Sequence, residues 1–493
     1  MKPIFDIIDQ APTVLWWGAA IYAVTVAVFM ILENRTPEKT FAWLLLFFSL
    51  PLVGVIIYFM FGRDHRAFSR QDRLLRQELS RQLRSSPHIA EFLAEQPKAI
   101  EQLKDEKPLV YDRALELMRR NVQTLLFLYN SLEILQDATE KYPRLREDLK
   151  AAQHSIHMEY FEWASDEVMQ GFKDILIERA KAGVQVRVLY DPLGSLLMLK
   201  RRYVREMNAG GAKMLPWSSL LAIHTISYRS HRKIVVIDGK IGYIGGLNMS
   251  EEYVKGPHSG KFTGWRDTHV RVTGQVVIGL QANFAVRWFN TTKEDLSDLD
   301  YYPPITEQHG YLPLQIVNSG PDAEWKAIRS LYFALITAAQ KHVYIQSPFF
   351  ILDEGLTEAI AGAARSGVDV KIMLAPRGPS PQFPYWAGLT YAENVAKAGA
   401  KVYFYHGKYF HPKTISVDSV ICSIGSANMD IRSFSINYES NLIIYDEKTT
   451  RALEADFDND LKQCTEFTFR AYRRTNILKR ARNSLFRLGS PLL

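Results

Sequence analysis

The 493-residue chain has only two cysteines, Cys422 and Cys464. A disulfide framework is therefore excluded, and a reducing compartment is the natural setting. Charge is absent altogether from Thr13 to Leu32 and again from Thr40 to Phe61. Each run is long enough to cross a hydrocarbon core of about 30 Å. A cleaved signal peptide fits poorly, because Asp6 and Asp9 oppose Lys2 and no small-residue cleavage site follows. Only Glu33 to Lys39 separates the two runs, so the expected spans must return as a hairpin, with Trp16, Trp17 and Trp43 near their ends. An acidic excess is also lacking. The formal net charge is +7, which favours an anionic partner without separating nucleic acid from membrane.

What is present is a repeat. The chain reads His-Arg-Lys-Ile-Val-Val-Ile-Asp-Gly from His231 and His-Pro-Lys-Thr-Ile-Ser-Val-Asp-Ser from His411. His, Lys, Asp and Asn recur at one constant spacing: 231 and 411, 233 and 413, 238 and 418, 248 and 428. The β-formers after each His run into Asp238-Gly239 or Asp418-Ser419, a hairpin signal. Alternate residues of a strand share a face, so His231 projects with Lys233 and His411 with Lys413. Each return strand ends in a small-residue turn and an amide, Asn248 or Asn428. Two imidazoles can act as nucleophile and general acid, while two lysines and two amides can hold phosphate oxygens.

The flanking segments repeat as well. Ala151 to Phe161 and Ala338 to Phe350 each read as a helix end entering a strand, and Gly183 to Val188 parallels Gly367 to Ile372. The expected fold is α/β, with two similar lobes sharing one active site behind an N-terminal transmembrane helical hairpin. The expected segments are 1–62 for the hairpin, 63–120 for a basic juxtamembrane helical linker, 121–315 for lobe 1, 316–468 for lobe 2 and 469–493 for a basic amphipathic end. Arg63, Arg66, Arg70, Arg73, Arg76, Arg81 and Arg84 follow the second span, so the positive-inside rule places the lobes on the cytoplasmic side. Arg470 to Arg487 at the end, interleaved with leucines, suits a helix lying on a membrane. His154, His157, His224 and His342 have no motif partner and read as structural.

The doubled H-x-K-x4-D with its following G-[GS]-x-N resembles the phospholipase D superfamily. That resemblance implies two facing lobes, no metal and no cofactor. One motif histidine, taken here as His231, attacks phosphorus to give a phosphohistidine, and the other protonates the leaving alkoxide. His231, Lys233, Asp238, His411, Lys413 and Asp418 form the implied catalytic set, with Asn248, Asp267, Asn428 and Glu439 in support. Asp267 is expected to hold His231 and Glu439 to hold His411, each within its own lobe. Asp238 and Asp418 are expected to fix the hairpins and support the lysines.

The spans, the Asn318-Ser319-Gly320-Pro321-Asp322 element and the Arg-rich end finishing in Ser490-Pro491-Leu492-Leu493 narrow the resemblance to bacterial cardiolipin synthases. Ser230 and Pro412 depart from that family's usual Asn and small polar residue. The resemblance implies phosphatidyl transfer between two phosphatidylglycerol molecules, giving cardiolipin and glycerol. The implied setting is an anionic phospholipid membrane, the bacterial cytoplasmic (inner) membrane, which the chain crosses more than once. A membrane-bound phospholipase D-type hydrolase or a nuclease shares the same intermediate. Nucleic acid is disfavoured, because the basic residues cluster beside the spans and at the end, without aromatics interleaved along a groove.

Overall fold

The computed structural model describes residues 124–490 apart from 220–226, 258–261, 324 and 379–381. It also describes 87–106, 114–119, 37–50 and shorter pieces within 16–32 and 53–58. The chain forms two compact units, Met1–His65 with Ser219–Tyr228, and Arg66–Ser218 with Arg229–Leu493. In the first, the helix Pro37–Ser49 presents Phe41, Leu45 and Phe48 outward, and the preceding helical pieces expose Ile21, Val24 and Val28. A small contact of Ala23, Met30, Phe47 and Tyr58 is buried. Among the described residues no helix is long and apolar enough to cross a membrane. The expected spans lie partly outside the described residues, as do His224 and the arginines from Arg63 to Arg84.

The second unit is organised by one 15-stranded sheet. Lobe 1 contributes β1 (Leu126–Leu135), β2 (Ser155–Tyr160), β3 (Gln185–Tyr190), β4 (Lys213–Pro216), β5 (Ile234–Ile237), β6 (Ile241–Gly245) and β8 (His269–Gly274), with the short β7 (Trp265–Arg266) outside the sheet. Lobe 2 contributes β9 (Tyr311–Ser319), β10 (His342–Ser347), β12 (Asp369–Leu374), β13 (Lys401–Tyr405), β15 (Thr414–Val417), β16 (Ile421–Gly425), β18 (Glu439–Ile444) and β19 (Cys464–Phe467). Its short β11 (Phe350–Ile351), β14 (Tyr409–Phe410) and β17 (Met429–Asp430) pair elsewhere. At the centre β1 and β9 run antiparallel. Outward from β1 the order is β8-β6-β5-β2-β3-β4, and from β9 it is β18-β16-β15-β10-β12-β13-β19. The two lobes thus repeat one topology about the β1–β9 seam.

Why these segments are strands follows from their cover. β2, β5, β15, β16 and β18 are buried along their whole length, as expected of strands packed on both faces. Helices Glu167–Lys181 and Glu354–Arg365 follow the corresponding strands, and Asp166 and Asp353 cap them by accepting from Met169 N and Leu356 N. A shared cluster around Phe127, Ile234, Val270, Ile316, Ile424 and Leu442 draws on both lobes, so they fold as one body. The helix Pro87–Glu106, within the segment expected as a linker, packs on this seam. Gln96 accepts from Leu126 N and donates to Leu126 O, and Phe92 stacks on Phe127 at 5.4 Å.

The motif hairpins are tight turns with both central residues left-handed: Asp238 and Gly239 at φ 53 and 63, Asp418 and Ser419 at φ 54 and 61. Gly239 is required, because a Cβ there would meet Tyr301 O and Pro303 Cδ at 2.5 Å. Ser419 pays a steric cost of about 1–2 kcal/mol, and its Oγ donates to Glu454 Oε2 at 2.6 Å in return.

Candidate active site

The strand geometry delivers each motif His and Lys to one place. β5 and β15 begin directly after Lys233 and Lys413, and Lys233, Lys413, Asp267 and Glu439 are essentially fully buried. His231 and His411 each leave about 10% of the side chain open. They are packed by rings, Phe161 at 5.0 Å from His231 and Trp265 at 5.0 Å from His411.

The acids are arranged differently from the sequence expectation. His231 Nδ1 lies 3.0 Å from both carboxylate oxygens of Glu439, and His411 Nδ1 lies 2.6 Å from Asp267 Oδ2. Each histidine is therefore held by the acid of the other lobe, which corrects the same-lobe assignment. The backbone explains the exchange. The residue before each histidine forms a parallel bridge to the residue before the other lobe's acid, Ser230 to Tyr438 and Phe410 to Arg266. His231 N then donates to Tyr438 O at 2.9 Å, and His411 N to Arg266 O at 2.8 Å. A carboxylate can only accept, so Nδ1 carries the hydrogen and Nε2 keeps its lone pair for substrate.

Asp238 and Asp418 lie at the far ends of β5 and β15 from the lysines. Asp238 accepts from the backbone N–H groups of Gln153, His154 and Ser155, and Asp418 from those of Gln340, Lys341 and His342. They tie each hairpin to the strand beside it, which accounts for their invariance between the two copies. At about 3.3 Å per residue, they stand too far along the strand to reach the lysines, which corrects that part of the expectation. Lys233 Nζ instead donates to His231 O at 2.6 Å, and Lys413 Nζ to His411 O at 2.5 Å while lying 2.8 Å from His411 Nδ1.

The electrostatics follow from crowding cations in a dry place. Burial, with the other lysine adding repulsion at Lys233, lowers Lys233 to about 7, and burial lowers Lys413 to about 8. Burial also depresses both imidazoles, with Glu439 opposing at His231, and Lys413 helps to bring His411 to about 3. Each ring also feels the lysine of the other lobe, so the half-sites form a single centre. Asp267 and Glu439 stay below the ordinary carboxylate value despite burial, because Lys413 and His411 act on the first and His231 and Lys233 on the second. An anion bound here would favour the charged forms of both lysines and both imidazoles.

Asn248 is positioned by its own lobe, its Oδ1 accepting from Glu162 N at 3.3 Å and its Nδ2 donating to Tyr253 Oη at 2.9 Å. Asn428 is buried, and its Oδ1 has no hydrogen-bond partner among the described residues. His154 faces Asp300, His157 is sandwiched between Gln281, Arg187 and Phe284, and His342 pairs with Glu454, which matches the structural reading for all three. Ser426, Phe161 and Glu162 escaped the sequence reading. Ser426 Oγ donates to Glu439 Oε2 at 2.5 Å, and its signal was the one mismatch between Gly-Gly and Gly-Ser in the two return strands. Among the described residues, no group of three or more His, Cys, Asp or Glu gathers to hold a metal ion.

Comparison with known proteins agrees with this geometry. Residues 145–258 and 332–461 match the family model described as cardiolipin synthase, PLD-like domain, and residues 14–63 match the phospholipase D-nuclease N-terminal model. The chain is 38% identical to a cardiolipin synthase of Geobacillus sp. (strain WCH70), over 95% of this chain and 92% of that one. It is 37% identical to the major cardiolipin synthase ClsA of Bacillus subtilis (strain 168), over 94% and 95%. In fold it is similar to a phosphatidylserine synthase of Haemophilus influenzae, with a TM-score of 0.59 and 16% identity, covering 78% of this chain and 99% of that one. The two-lobed, doubled-motif centre defines a phospholipase D-like phosphatidyltransferase. Within that class, the chain belongs to the cardiolipin synthase family.

Proposed function

We propose that this centre transfers a phosphatidyl group from one phosphatidylglycerol to the glycerol hydroxyl of another, giving cardiolipin and free glycerol. The crossed pairing of His231 with Glu439 and His411 with Asp267 carries the reading, because it supplies two oriented imidazoles beside two buried cations. In the first step His411 takes up a proton on Nε2 as the bound phosphodiester anion offsets the lysines beside it, His231 Nε2 attacks phosphorus, the bond to the glycerol oxygen breaks, and His411 Nε2 gives that oxygen the proton. In the second the acceptor hydroxyl returns a proton to His411 while its oxygen attacks phosphorus, and the N–P bond breaks to free His231. Lys413, 2.8 Å from His411 Nδ1, makes that ring the more acidic donor, which suits this division of roles. Lys233 and Lys413 offset the charge gathering on the pentacovalent phosphorus, where a lost donor costs on the order of 3 kcal/mol.

The lipid substrates favour a membrane setting. The outward apolar residues Ile21, Val24, Val28, Phe41, Leu45 and Phe48 support spans at 13–32 and 40–61. The arginines that follow support lobes on the cytoplasmic side of a bacterial cytoplasmic membrane. Detergent-solubilised protein given labelled phosphatidylglycerol should form cardiolipin and glycerol. Phosphatidic acid as the sole lipid product would make the protein a hydrolase, and cleavage of nucleic acid with no lipid product would make it a nuclease.

A further inference from the structure

The chemistry above makes no use of the last segment of the chain, which holds seven Lys and Arg and no Asp or Glu from Phe469 to Leu493. Its helices are well anchored. Thr468 caps the short helix Phe469–Arg473 by accepting from Ala471 N, and Asn476 caps the helix Ile477–Arg487 by accepting from Leu478 N. The inward face of the second helix lies on the helix Gln382–Lys397. There the ring of Phe486 packs 4.9 Å from that of Trp386 and 5.8 Å from that of Phe383. Arg482 and Arg487 lie over the rings of Trp386 and Tyr391 at 4.3 and 4.7 Å, and buried Asn483 donates to Tyr472 Oη at 3.0 Å.

The opposite face is apolar and open. Ile477, Leu478, Leu485 and Leu488 are 74, 75, 64 and 78% exposed. At roughly 100° per residue they share with Ala481 an arc of roughly 100°, the width of a face that ordinarily meets a core. Arg480 borders this arc on one side and Arg482 on the other. Among the described residues the segment makes one ion pair, between Arg473 and Glu393, while Arg482 and Arg487 rest on rings rather than on carboxylates.

Four large aliphatic side chains on the outer arc of an anchored helix keep apolar area in water, at a cost that an apolar partner would relieve. A second copy docked face to face would set Arg480 and Arg482 against their own counterparts. A nucleic acid would offer phosphates but leave the arc wet, with no ring on it for a base to stack on. An anionic lipid surface supplies both an apolar layer for the arc and negative charge for its borders.

Resting on the transfer reading only for the lipid substrate, we propose that the outward face of the helix Ile477–Arg487 is a docking surface for an anionic lipid bilayer. Ile477, Leu478, Leu485 and Leu488 enter the boundary of the acyl layer, while Arg480 and Arg482 extend along it to the lipid phosphates. This helix belongs to the same compact unit as both motif histidines. The contact therefore holds the catalytic unit itself at the surface, independently of Met1–His65.

Full-length enzyme carrying a nitroxide label at Leu485→Cys, in a Cys464→Ser background, reports the contact without reference to activity. In vesicles of phosphatidylglycerol and phosphatidylcholine the label should gain collisions with oxygen and lose collisions with a water-soluble nickel chelate, relative to vesicles of phosphatidylcholine alone. The same chelate access in both vesicles would overturn the proposal. Leu478→Glu with Leu485→Glu should raise the phosphatidylglycerol fraction for half-maximal cardiolipin formation by at least about fivefold. The same variant should keep its rate on dissolved short-chain phosphatidylglycerol within about twofold. Arg480→Gln with Arg482→Gln should shift the fraction less, by an amount that added salt reduces. An equal fall on both substrates would mark the segment as structural. A concentration-dependent dimer lost in the leucine variant, with vesicle activity unchanged, would assign the face to a second copy; either result overturns the proposal. Wild-type enzyme that forms no cardiolipin from either substrate, while the label still enters phosphatidylglycerol vesicles, would instead remove the transfer reading and leave the docking surface.

Discussion

The half-sites around His231 and His411 are built on corresponding strands and finished with different side chains. At His231 the acid is the longer Glu439, reached by Ser426 Oγ and by Asn437 Nδ2 at 3.3 Å. At His411 it is the shorter Asp267, which accepts from Thr268 N at 2.7 Å, with Lys413 close by. The return strand accommodates each choice: a Cβ at Gly246 would sit 2.1 Å from Asp267 Oδ1, whereas the equivalent Ser426 bonds to Glu439. Duplication thus preserved what the shared chemistry needs, an imidazole, a cation and an acid. It left the surroundings free to differ, as the proposed division between an attacking and a protonating histidine requires.

The largest expected effect removes either ring. His231→Ala or His411→Ala should lower cardiolipin formation by about 10³-fold or more with the thermal transition kept, measured by product separation and a melting curve. Retained turnover in either variant would mean that the half-sites are not complementary. Next come the acids. Glu439→Gln and Asp267→Asn should each cost on the order of 10²–10³-fold in turnover, because the imidazole loses the partner that fixes its tautomer. Gly246→Ser, which copies the lobe 2 turn into lobe 1, should be nearly as damaging, since its side chain collides with Asp267.

Much of this centre was legible in the sequence because the repeat aligns side chains whose strand period puts them on one face. His231, Lys233, His411, Lys413 and the two α/β lobes follow from that. The crossed acids were not legible. Asp267 is nearer in sequence to His231, and only the short bridges of Ser230 to Tyr438 and Phe410 to Arg266 carry each acid across. Such bridges involve one or two residues and leave no periodic signal. Asp238 and Asp418 repeat as faithfully as the histidines for a different reason, since each hairpin needs an acceptor for three backbone N–H groups. The packing of Gln96 on Leu126 was hidden for the same reason as the crossing, a contact between distant segments.

The pH dependence should sharpen the comparison at moderate cost. Burial, with repulsion from Lys413, brings Lys233 to about 7, and burial brings Lys413 to about 8 in the free site, and the proposed mechanism uses both as cations. kcat/KM for phosphatidylglycerol should therefore decline as pH rises through about 7 to 8. Lys233→Arg, which resists deprotonation, should move that limb upward whatever it costs in rate. A profile flat to pH about 10, the ordinary lysine value, would mean that the lysines are not depressed. The smallest effect concerns the hairpins. Ser419→Gly relieves a left-handed residue but loses the bond to Glu454, so stability should shift by less than about 1 kcal/mol, whereas Gly239→Ala should lower it through the contact with Tyr301 and Pro303.

The crossed pairing is tested most directly with a phosphatidyl ester of p-nitrophenol, whose leaving group departs without a proton. Rapid mixing with each acid variant would record the burst of p-nitrophenolate and the phosphate trapped on histidine. Asp267→Asn disables the proton donor His411, so it should keep the burst and accumulate phosphate on His231. Glu439→Gln disables the attacking ring and should lose the burst. The reverse pattern, with the burst lost in Asp267→Asn and kept in Glu439→Gln while phosphate still resides on His231, would contradict the account.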